Sequence, residues 1–355
     1  MDKRVTYHEQ TDMENTLKLR EVLKTLPEFS KDFFRAISTT TSTSTRIKYA
    51  YDIRIFFQFL LEENPVFMNS SADTLTPDVL DQITALDLEE YIEYLKAYQP
   101  PESDEYITNG EKGIKRKLSA LRTFYAYYYK HELIQTNPTL LIDMPKLHQK
   151  EIIRLEADEV AKLLDFVESC GSTMTPHQRK YYEKTKYRDL AIITLLLGTG
   201  VRVSECVGLD LEDVDFRNNG IRVVRKGGNE MIVYFGPEVE KALKDYMEIR
   251  SGITPVAGHE HALFYSSQKK RINVKTVENL VKKYASRVTT AKKITPHKLR
   301  STYGTALYEE TGDIYLVADV LGHKDVNTTK KHYAAMNESR RRKAATAVQL
   351  REAEK

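Results

Sequence analysis

Residues 295–333 read TPHKLRSTYGTALYEETGDIYLVADVLGHKDVNTTKKHY and gather side chains that can bind phosphate or transfer protons. His297 and Arg300 stand three positions apart in the first motif, TPHKLR. His323 belongs to LGHKD, and Tyr333 follows ten positions later. Taken singly these residues are not diagnostic, because the chain holds 22 tyrosines and 9 histidines, and most such residues serve packing or solubility. Their meaning depends on the motifs upstream.

Two upstream segments place further charged residues at turns. A nearly all-apolar run at 186–197 predicts a buried helix, and the GTGVRVSE motif that follows it directly carries Arg202 and Glu205. Residues 220–235, GIRVVRKGGNEMIVYF, alternate apolar and polar positions on both sides of a glycine pair, which predicts a β-hairpin. Lys226 falls at the turn of this hairpin. Together with the first stretch, these segments supply a set of candidate reactive groups.

The order, spacing and context of these motifs resemble the tyrosine recombinases, the phage integrase-like family, and within them the Xer type. The likeness is greatest to the XerS branch, which works with a single recombinase, and it covers about residues 40–345. It implies a supporting role for the acid Glu205 and catalytic roles for six residues, with Tyr333 as the nucleophile. The six are Arg202, Lys226, His297, Arg300, His323 and Tyr333. Tyr333 stands one position later than in the family pattern, where His332 is found, and a one-residue insertion in the preceding turn would absorb this difference.

The same resemblance implies a fold and a reaction. The fold is mainly α-helical with a small antiparallel β-sheet: an N-terminal helical bundle of the SAM-like, core-binding type and an α+β catalytic domain form a C-shaped DNA clamp. The reaction cuts and rejoins double-stranded DNA at a specific site through a 3′-phosphotyrosine bond and a Holliday junction, with no metal or other cofactor. The expected assembly is a homotetramer on two duplexes, with an FtsK-type DNA translocase as a candidate partner. The expected role is resolution of chromosome dimers at a dif-like site for chromosome segregation at cell division.

Helical periodicity and composition divide the chain into two predicted domains. We expect an N-terminal helical DNA-binding domain at 1–140, built on apolar stripes of helical spacing. A segment with little helical periodicity, 141–155, is interpreted as the linker. The catalytic domain is expected at 156–355 and ends in a helix that docks on a neighbouring protomer. Extra length relative to a minimal Xer enzyme is expected in the leader at 1–40 and in loops at 100–113 and 170–185.

Two basic stretches predict contacts with a polyanion. Residues 111–130 hold six Lys or Arg against one acid, and residues 266–300 hold eleven against one, whereas the whole chain carries a net charge of only +3. A single lysine is as often a solvated surface charge, but two such stretches in different halves of the chain favour DNA binding. The predicted DNA-binding residues are Lys112, Lys115, Arg116, Arg122, Asn273, Lys275, Lys282 and Lys283.

Composition and missing motifs exclude several classes of protein. The chain has 41% hydrophobic and 30% charged residues, typical of a globular protein, and no apolar run approaches the roughly 20 residues of a membrane span. Its first residues, MDKRVTYHEQTDMEN, lack the apolar core of a secretory signal, and its two cysteines suit a reducing cytoplasm. The sequence has no Walker loop, dinucleotide-binding glycine motif, HExxH zinc motif or Mg²⁺-binding acidic triad.

Three alternative functions share parts of this pattern. An integrase of a mobile element would use the same chemistry on other sites, although many of these enzymes carry an extra N-terminal domain with strands, which residues 1–40 do not resemble. A catalytically silent DNA-binding regulator would keep the fold, but at least one of the catalytic positions would be expected to have changed. A type IB topoisomerase shares the active-site plan but acts without a specific site.

Overall fold

The computed structural model describes residues 5–100, 103–148, 152–225, 228–323 and 325–333, with the backbone alone at 172, 173, 328 and 331–333. Three predicted features lie outside the described residues: Lys226, the side chain of Tyr333 and the docking helix beyond it. The chain divides into two compact units, Met1–Lys150 and Glu151–Lys355. In the described ranges, no helix is both long and apolar enough to cross a membrane.

The first unit is a helical bundle with one minimal β-ladder. Its helices are α1 (Tyr7–Leu23), α2 (Ser30–Ala36), α3 (Thr43–Glu62), α4 (Val79–Gln82), α5 (Ala85–Tyr94) and α6 (Glu111–Lys130). Strands β1 (Ala97–Tyr98) and β2 (Ile107–Thr108) pair antiparallel, so part of the loop expected at 100–113 is extended structure. Polar caps set two helix starts, because Thr6 accepts a hydrogen bond from the Glu9 amide and Thr84 accepts one from the Asp87 amide.

An aromatic core holds this bundle together around the apolar stripe of α6. The ring of Phe124 lies edge-to-face with those of Phe33 and Phe57, at centroid distances of 5.2 and 6.1 Å. The Tyr128 hydroxyl donates a 2.7 Å hydrogen bond to the Phe29 carbonyl, which satisfies a polar group in an otherwise apolar interior. The stripe predicted from the sequence is therefore the face that packs against α2 and α3.

A buried carboxylate, Asp52 on α3, interrupts this core. Asp52 is 2% exposed and forms an ion pair with Arg116 of α6. Burial raises the pKa of Asp52 to about 6, although Arg116 and Lys117 both favour its charged form. Within the described residues its buried Oδ1 has no hydrogen-bond partner. The ion pair therefore compensates only part of the cost of removing this charge from water.

The second unit is α+β, with a three-stranded antiparallel sheet at the side of a helical core. Its helices are α7 (Ala157–Ser169), α8 (Pro176–Thr199), α9 (Val203–Gly208), α10 (Pro237–Ser251), α11 (Val274–Val288), α12 (Pro296–Thr311), α13 (Ile314–Leu321) and α14 (Val326–Tyr333). Its strands are β3 (Val214–Asp215), β4 (Gly220–Val224) and β5 (Glu230–Tyr234), in the order β3-β4-β5. The described residues thus have the predicted class, mainly α with a small antiparallel sheet.

Helix α8 is longer than the apolar run predicted it to be. It begins at Pro176 because Thr175 and Gln178 form a capping box and proline suits the first helical turn. The second half of the loop expected at 170–185 is therefore helical, and that prediction was wrong. The helix ends at Gly200, whose φ of +62° is left-handed and where a Cβ atom would overlap the side chain of Tyr303.

The predicted hairpin is formed by β4 and β5. The register pairs Gly220 with Tyr234 and Val224 with Glu230. Ile221, Val223 and Val233 are buried, whereas Arg222, Ile232 and Tyr234 face solvent, as the alternating sequence predicts. The hairpin turn therefore extends from a strand pair that is anchored to the core on one face only.

Candidate active site

The centre of the site is the C-terminal end of α13. Asp313 caps the start of this short helix by accepting hydrogen bonds from the amides of Tyr315 and Leu316, at 2.8 and 3.1 Å. Gly322 ends it with a left-handed φ of +60°. The last carbonyls of a helix have no partners in the helix itself and carry partial negative charge, so they attract cationic donors.

Among the described residues, three arginines from three separate segments bind these carbonyls. Arg300 of α12 is 4% exposed and donates to the carbonyls of Gly200 and Leu321. Arg202, at the start of α9, donates to the Gly322 carbonyl at 3.1 Å. The third is Arg225, which follows β4 and donates to the carbonyls of Asp319 and Val320. The structure therefore brings Arg202 and Arg300, which are distant in sequence, to one helix terminus.

Glu205 holds Arg202 in place from within α9. Its Oε1 accepts a 2.7 Å hydrogen bond from Nη1 of Arg202, and its Oε2 accepts a 2.8 Å bond from the Arg202 amide. The carboxylate is 3% exposed, whereas the Arg202 side chain is 35% exposed, so the acid is shielded from water and the guanidinium is only partly so. The neighbouring Cys206 is fully buried, and burial raises the pKa of its thiol to about 12. Glu205 therefore orients Arg202, and Cys206 does not provide a reactive thiol.

His323 connects the same region to α14. Its backbone amide donates to the Ala318 carbonyl at 2.9 Å, and its Nδ1 lies 2.8 Å from the hydroxyl oxygen of Thr329. Thr329 is completely buried within α14. Tyr333 lies four residues after Thr329, and residues at this spacing share a helix face. The backbone of the predicted nucleophile therefore belongs to a helix that is tied directly to His323.

His297 occupies the first turn of α12, three residues before Arg300. The helix starts at Pro296, which has the backbone angle a helix start requires. Because residues three apart lie on neighbouring positions of one helix face, the exposed His297 and the buried Arg300 project from the same side of α12. The HxxR spacing thus places one group near solvent and the other within the protein.

Arg225 is a member of the site that the sequence reasoning missed. Its Nη2 donates to the Val320 carbonyl at 2.7 Å, and its Nη1 lies 3.4 Å from the Asp319 carbonyl. It directly precedes Lys226 in RKGG, so the adjacent basic residue was the available signal. The motif comparison assigned a role only to the lysine.

The predicted DNA-binding residues of α6 fall into two groups. Lys112 is exposed and Lys115 is half-buried, whereas Arg116 is paired with Asp52. Arg122 donates to the carbonyls of Thr139 and Ile142 at 3.0 and 2.7 Å, and so fastens the 3₁₀ turn after α6. The two arginines therefore have structural partners within the first unit.

The predicted DNA-binding residues of α11 also differ among themselves. Asn273 caps the helix, since its side chain accepts a 2.7 Å hydrogen bond from the Thr276 amide. Lys275 lies 3.6 Å from Glu278 in an exposed ion pair, and Lys282 is exposed. The Lys283 ammonium lies 4.5 Å from the centre of the Tyr284 ring. Exposed cations thus remain on this helix, while Asn273 has a clear structural contribution.

Comparison with known proteins agrees with this geometry. Residues 153–340 match the phage integrase family. The chain belongs to this family. It is a tyrosine recombinase of the Xer type, and the segments that meet at α13 all lie within the matched residues.

Curated relatives extend the similarity over almost the whole recombinase. Tyrosine recombinase XerC of Caldanaerobacter subterraneus subsp. tengcongensis is 34% identical over 343 residues, which cover 92% of this chain and 88% of the relative. Tyrosine recombinase XerS of Streptococcus uberis is 31% identical over 347 residues, which cover 91% of this chain and 96% of the relative. The similarity therefore includes the helical first unit as well as the second unit.

Solved structures share the recombinase fold. XerH site-specific recombinase bound to palindromic difH substrate superposes with a TM-score of 0.61 at 20% identity, covering 86% of this chain and 80% of that one. A lambda integrase (75–356) dimer bound to a COC′ core site gives a TM-score of 0.59 at 18% identity, covering 88% of this chain and 94% of that one. At these identities the likeness concerns the fold.

Proposed function

We propose that this recombinase cleaves and rejoins DNA at a specific site through a 3′-phosphotyrosine bond at Tyr333. The observation that carries the proposal is the meeting of Arg202 and Arg300 at the end of α13, next to His323. His323 is in turn bonded to the helix that includes Tyr333. The proposal needs these groups around one phosphodiester, and their chain segments already lie together.

The arginines would stabilise the charge that develops during cleavage. A phosphodiester repels nucleophiles because its non-bridging oxygens share a negative charge, and attack increases that charge. A guanidinium stays protonated and can hold two oxygens at once, which suits this task better than an ammonium group. Arg202 and Arg300 would bind the non-bridging oxygens, and His323 would add a hydrogen bond. Removing one such donor costs about 10²–10³ in rate in comparable sites.

Proton transfer would be divided between His297 and Lys226. The tyrosine phenol has an ordinary pKa of about 10, so attack at neutral pH requires a group that accepts its proton, for which we propose His297. As the tyrosine oxygen bonds to phosphorus, the bond to the 5′-oxygen breaks, and Lys226 donates a proton to that oxygen. A 5′-hydroxyl from another strand then reverses both steps. Because the phosphotyrosine ester conserves the energy of the original bond, the reaction as proposed requires neither ATP nor a metal ion.

A nicked suicide substrate tests the nucleophile. Cleavage next to the nick releases a short fragment and traps the covalent protein–DNA complex. Wild-type protein is expected to form the adduct and Tyr333→Phe to form none, while Tyr315→Phe, at an exposed tyrosine on α13, is expected to behave like wild type. Adduct formation by Tyr333→Phe would overturn the assignment. Absence of an adduct with wild type, on DNA that it binds specifically, would favour the catalytically silent regulator.

DNA binding is assigned to both units. We propose that 1–140 forms a DNA-binding domain, that 141–155 links it to the catalytic domain at 156–355, and that four protomers assemble on two duplexes. The predicted DNA-binding lysines are the strongest candidates for phosphate contacts, because all of them are exposed or half-buried. These are Lys112, Lys115, Lys275, Lys282 and Lys283. Replacing any one of these lysines by alanine is expected to lower the slope of log K against log salt by about 1.

We further propose that the biological role is resolution of chromosome dimers at a dif-like site in the cytoplasm, with an FtsK-type translocase as a candidate activator. Support comes from relatives named XerC and XerS that match over about nine-tenths of this chain. Selecting bound fragments from the source genome and testing them for cleavage distinguishes this role from that of an integrase. One cleaved chromosomal locus without an associated mobile element supports the proposal, whereas cleavage at the ends of a mobile element overturns it.

A further inference from the structure

Arg225 anchors the hairpin turn to the end of α13. Its guanidinium reaches the carbonyls of Asp319 and Val320, which lie in the same helix terminus that holds Arg202 and Arg300. Its backbone amide donates to the Asn229 carbonyl at 2.8 Å, and its carbonyl accepts from the Gly228 amide at 3.0 Å. Arg225 therefore links residues 228 and 229, through its backbone, to the end of α13, through its side chain.

The anchor is closely packed. A Cβ atom at Gly322 would overlap Nη1 and Cζ of Arg225, so the absence of a side chain there is what admits the guanidinium. The Nε of Arg225 is buried and, within the described part of the chain, has no hydrogen-bond partner. Burial lowers the pKa of Arg225, and Glu205 and Asp319 partly offset this effect. The half-buried Arg225 is thus held against the end of α13 by contacts within the second unit.

We propose that Arg225 is a positioning residue that holds Lys226 at the departing 5′-oxygen. The inference rests on the proposed role of Lys226 as the general acid. Adjacent Cα atoms are about 3.8 Å apart, so fixing Arg225 restricts where the Lys226 backbone can lie. Without the anchor, the end of β4 loses its bonds to α13 while Arg202 and Arg300 keep their own carbonyl partners. Loss of Arg225 therefore impairs protonation of the leaving group and leaves the arginine clamp in place.

A change of leaving atom tests this specific defect. In a 5′-bridging phosphorothiolate the leaving group is a thiolate, which departs without a proton. Single-turnover cleavage is measured on normal and phosphorothiolate suicide substrates for wild type, Arg225→Gln, Lys226→Ala and Arg222→Gln. Arg222 is the matched control, since it lies on β4 and forms an ion pair with Asp213 while 51% exposed. The ratio of the two cleavage rates does not depend on the fraction of protein that is folded.

The expected results are distinct for each variant. General-acid catalysis contributes about 10²–10⁴ in rate, so Lys226→Ala should lose that much on normal DNA and recover on the phosphorothiolate. Arg225→Gln should lose about tenfold or more on normal DNA and also recover, whereas Arg222→Gln should match wild type on both substrates. Arg225→Lys, which keeps a charge and one donor group, should fall between wild type and Arg225→Gln and provides the measurement if the glutamine variant does not fold.

Two outcomes would overturn the inference separately from the proposed function. If Lys226→Ala recovers on the phosphorothiolate but Arg225→Gln is equally slow on both substrates, Arg225 acts through general stability and does not position the acid. If Arg225→Gln cleaves normal DNA at the wild-type rate, the anchor has no catalytic effect. If Lys226→Ala does not recover, the general-acid assignment itself is wrong, and the role of Arg225 fails with it.

Discussion

The ion pair between the buried Asp52 and the more exposed Arg116 predicts a pH-dependent stability for the first unit. The pKa of Asp52 is raised from an ordinary value of 3.8 to about 6. The folded state favours the protonated form of Asp52. The free energy of unfolding that this preference contributes is therefore fully present below pH 3.8 and is lost as the pH rises through about 6. A shift of about 2.2 pKa units corresponds to about 3 kcal/mol at 1.36 kcal/mol per unit. Replacing Asp52 by asparagine removes this titration.

Calorimetry on the full chain between pH 4 and pH 8 measures the effect. The stability of Asp52→Asn relative to wild type is expected to improve by about 2.5 kcal/mol between pH 4 and pH 8, which corresponds to roughly 5–10 °C in the melting temperature of a unit of this size. Asp73→Asn, at an exposed acid in the same unit, should follow wild type throughout. Arg116→Gln should be most destabilising above pH 6, where Asp52 is charged and left without its partner. A constant difference between Asp52→Asn and wild type would refute the raised pKa.

Three further predictions concern single side chains. Arg202→Ala should slow strand cleavage by about 10²–10³, because Arg202, held by Glu205 and the Gly322 carbonyl, is proposed to bind the phosphate that is cleaved. DNA affinity in a filter or gel assay should change little, since this is one phosphate among many in the interface; equal loss of binding would argue against a catalytic clamp. Arg122→Ala should destabilise the first unit by about 1–3 kcal/mol in denaturant unfolding, because it removes two hydrogen bonds to backbone carbonyls. It should not change the slope of log K for DNA binding against log salt. Lys112→Ala should instead lower that slope by about 1 and leave stability unchanged. Cys206 should resist alkylation in the native protein, as followed by mass spectrometry, and react only after denaturation; rapid native labelling would contradict its burial.

Local patterns in the sequence predicted much of the fold. The apolar stripe of α6 and the alternation of β4 and β5 each reflect burial of one face, which sequence spacing records directly. The first part of α8 was missed because residues 176–185 are mostly polar and carry no apolar period. That part of the helix depends on a capping box and a proline at its start, which are weaker signals than periodicity.

The candidate site was predictable as a set of motifs but not as a set of contacts. The motif boxes identified Arg202 and Arg300, but nothing local indicates that both bind carbonyls at the end of α13. Arg122 was assigned to DNA from its charge, yet its partners are carbonyls 17 and 20 residues further along the chain. Arg225 was overlooked for the same reason, since its role depends on a helix 95 residues away. Charge is visible in a sequence, whereas the partner of a charge is decided by tertiary structure.

The long separations in this cluster have a consequence for protein synthesis. The contacts from Arg202 to Gly322 and from Arg300 to Gly200 span 120 and 100 residues. Because translation proceeds from the N-terminus, a ribosome-bound chain that has not reached residue 322 cannot close the cluster, whatever the state of its upstream helices. The nascent polypeptide thus acquires any DNA affinity of its first unit well before it acquires the means to break a strand. Such a delay would protect the chromosome from incomplete copies of the enzyme.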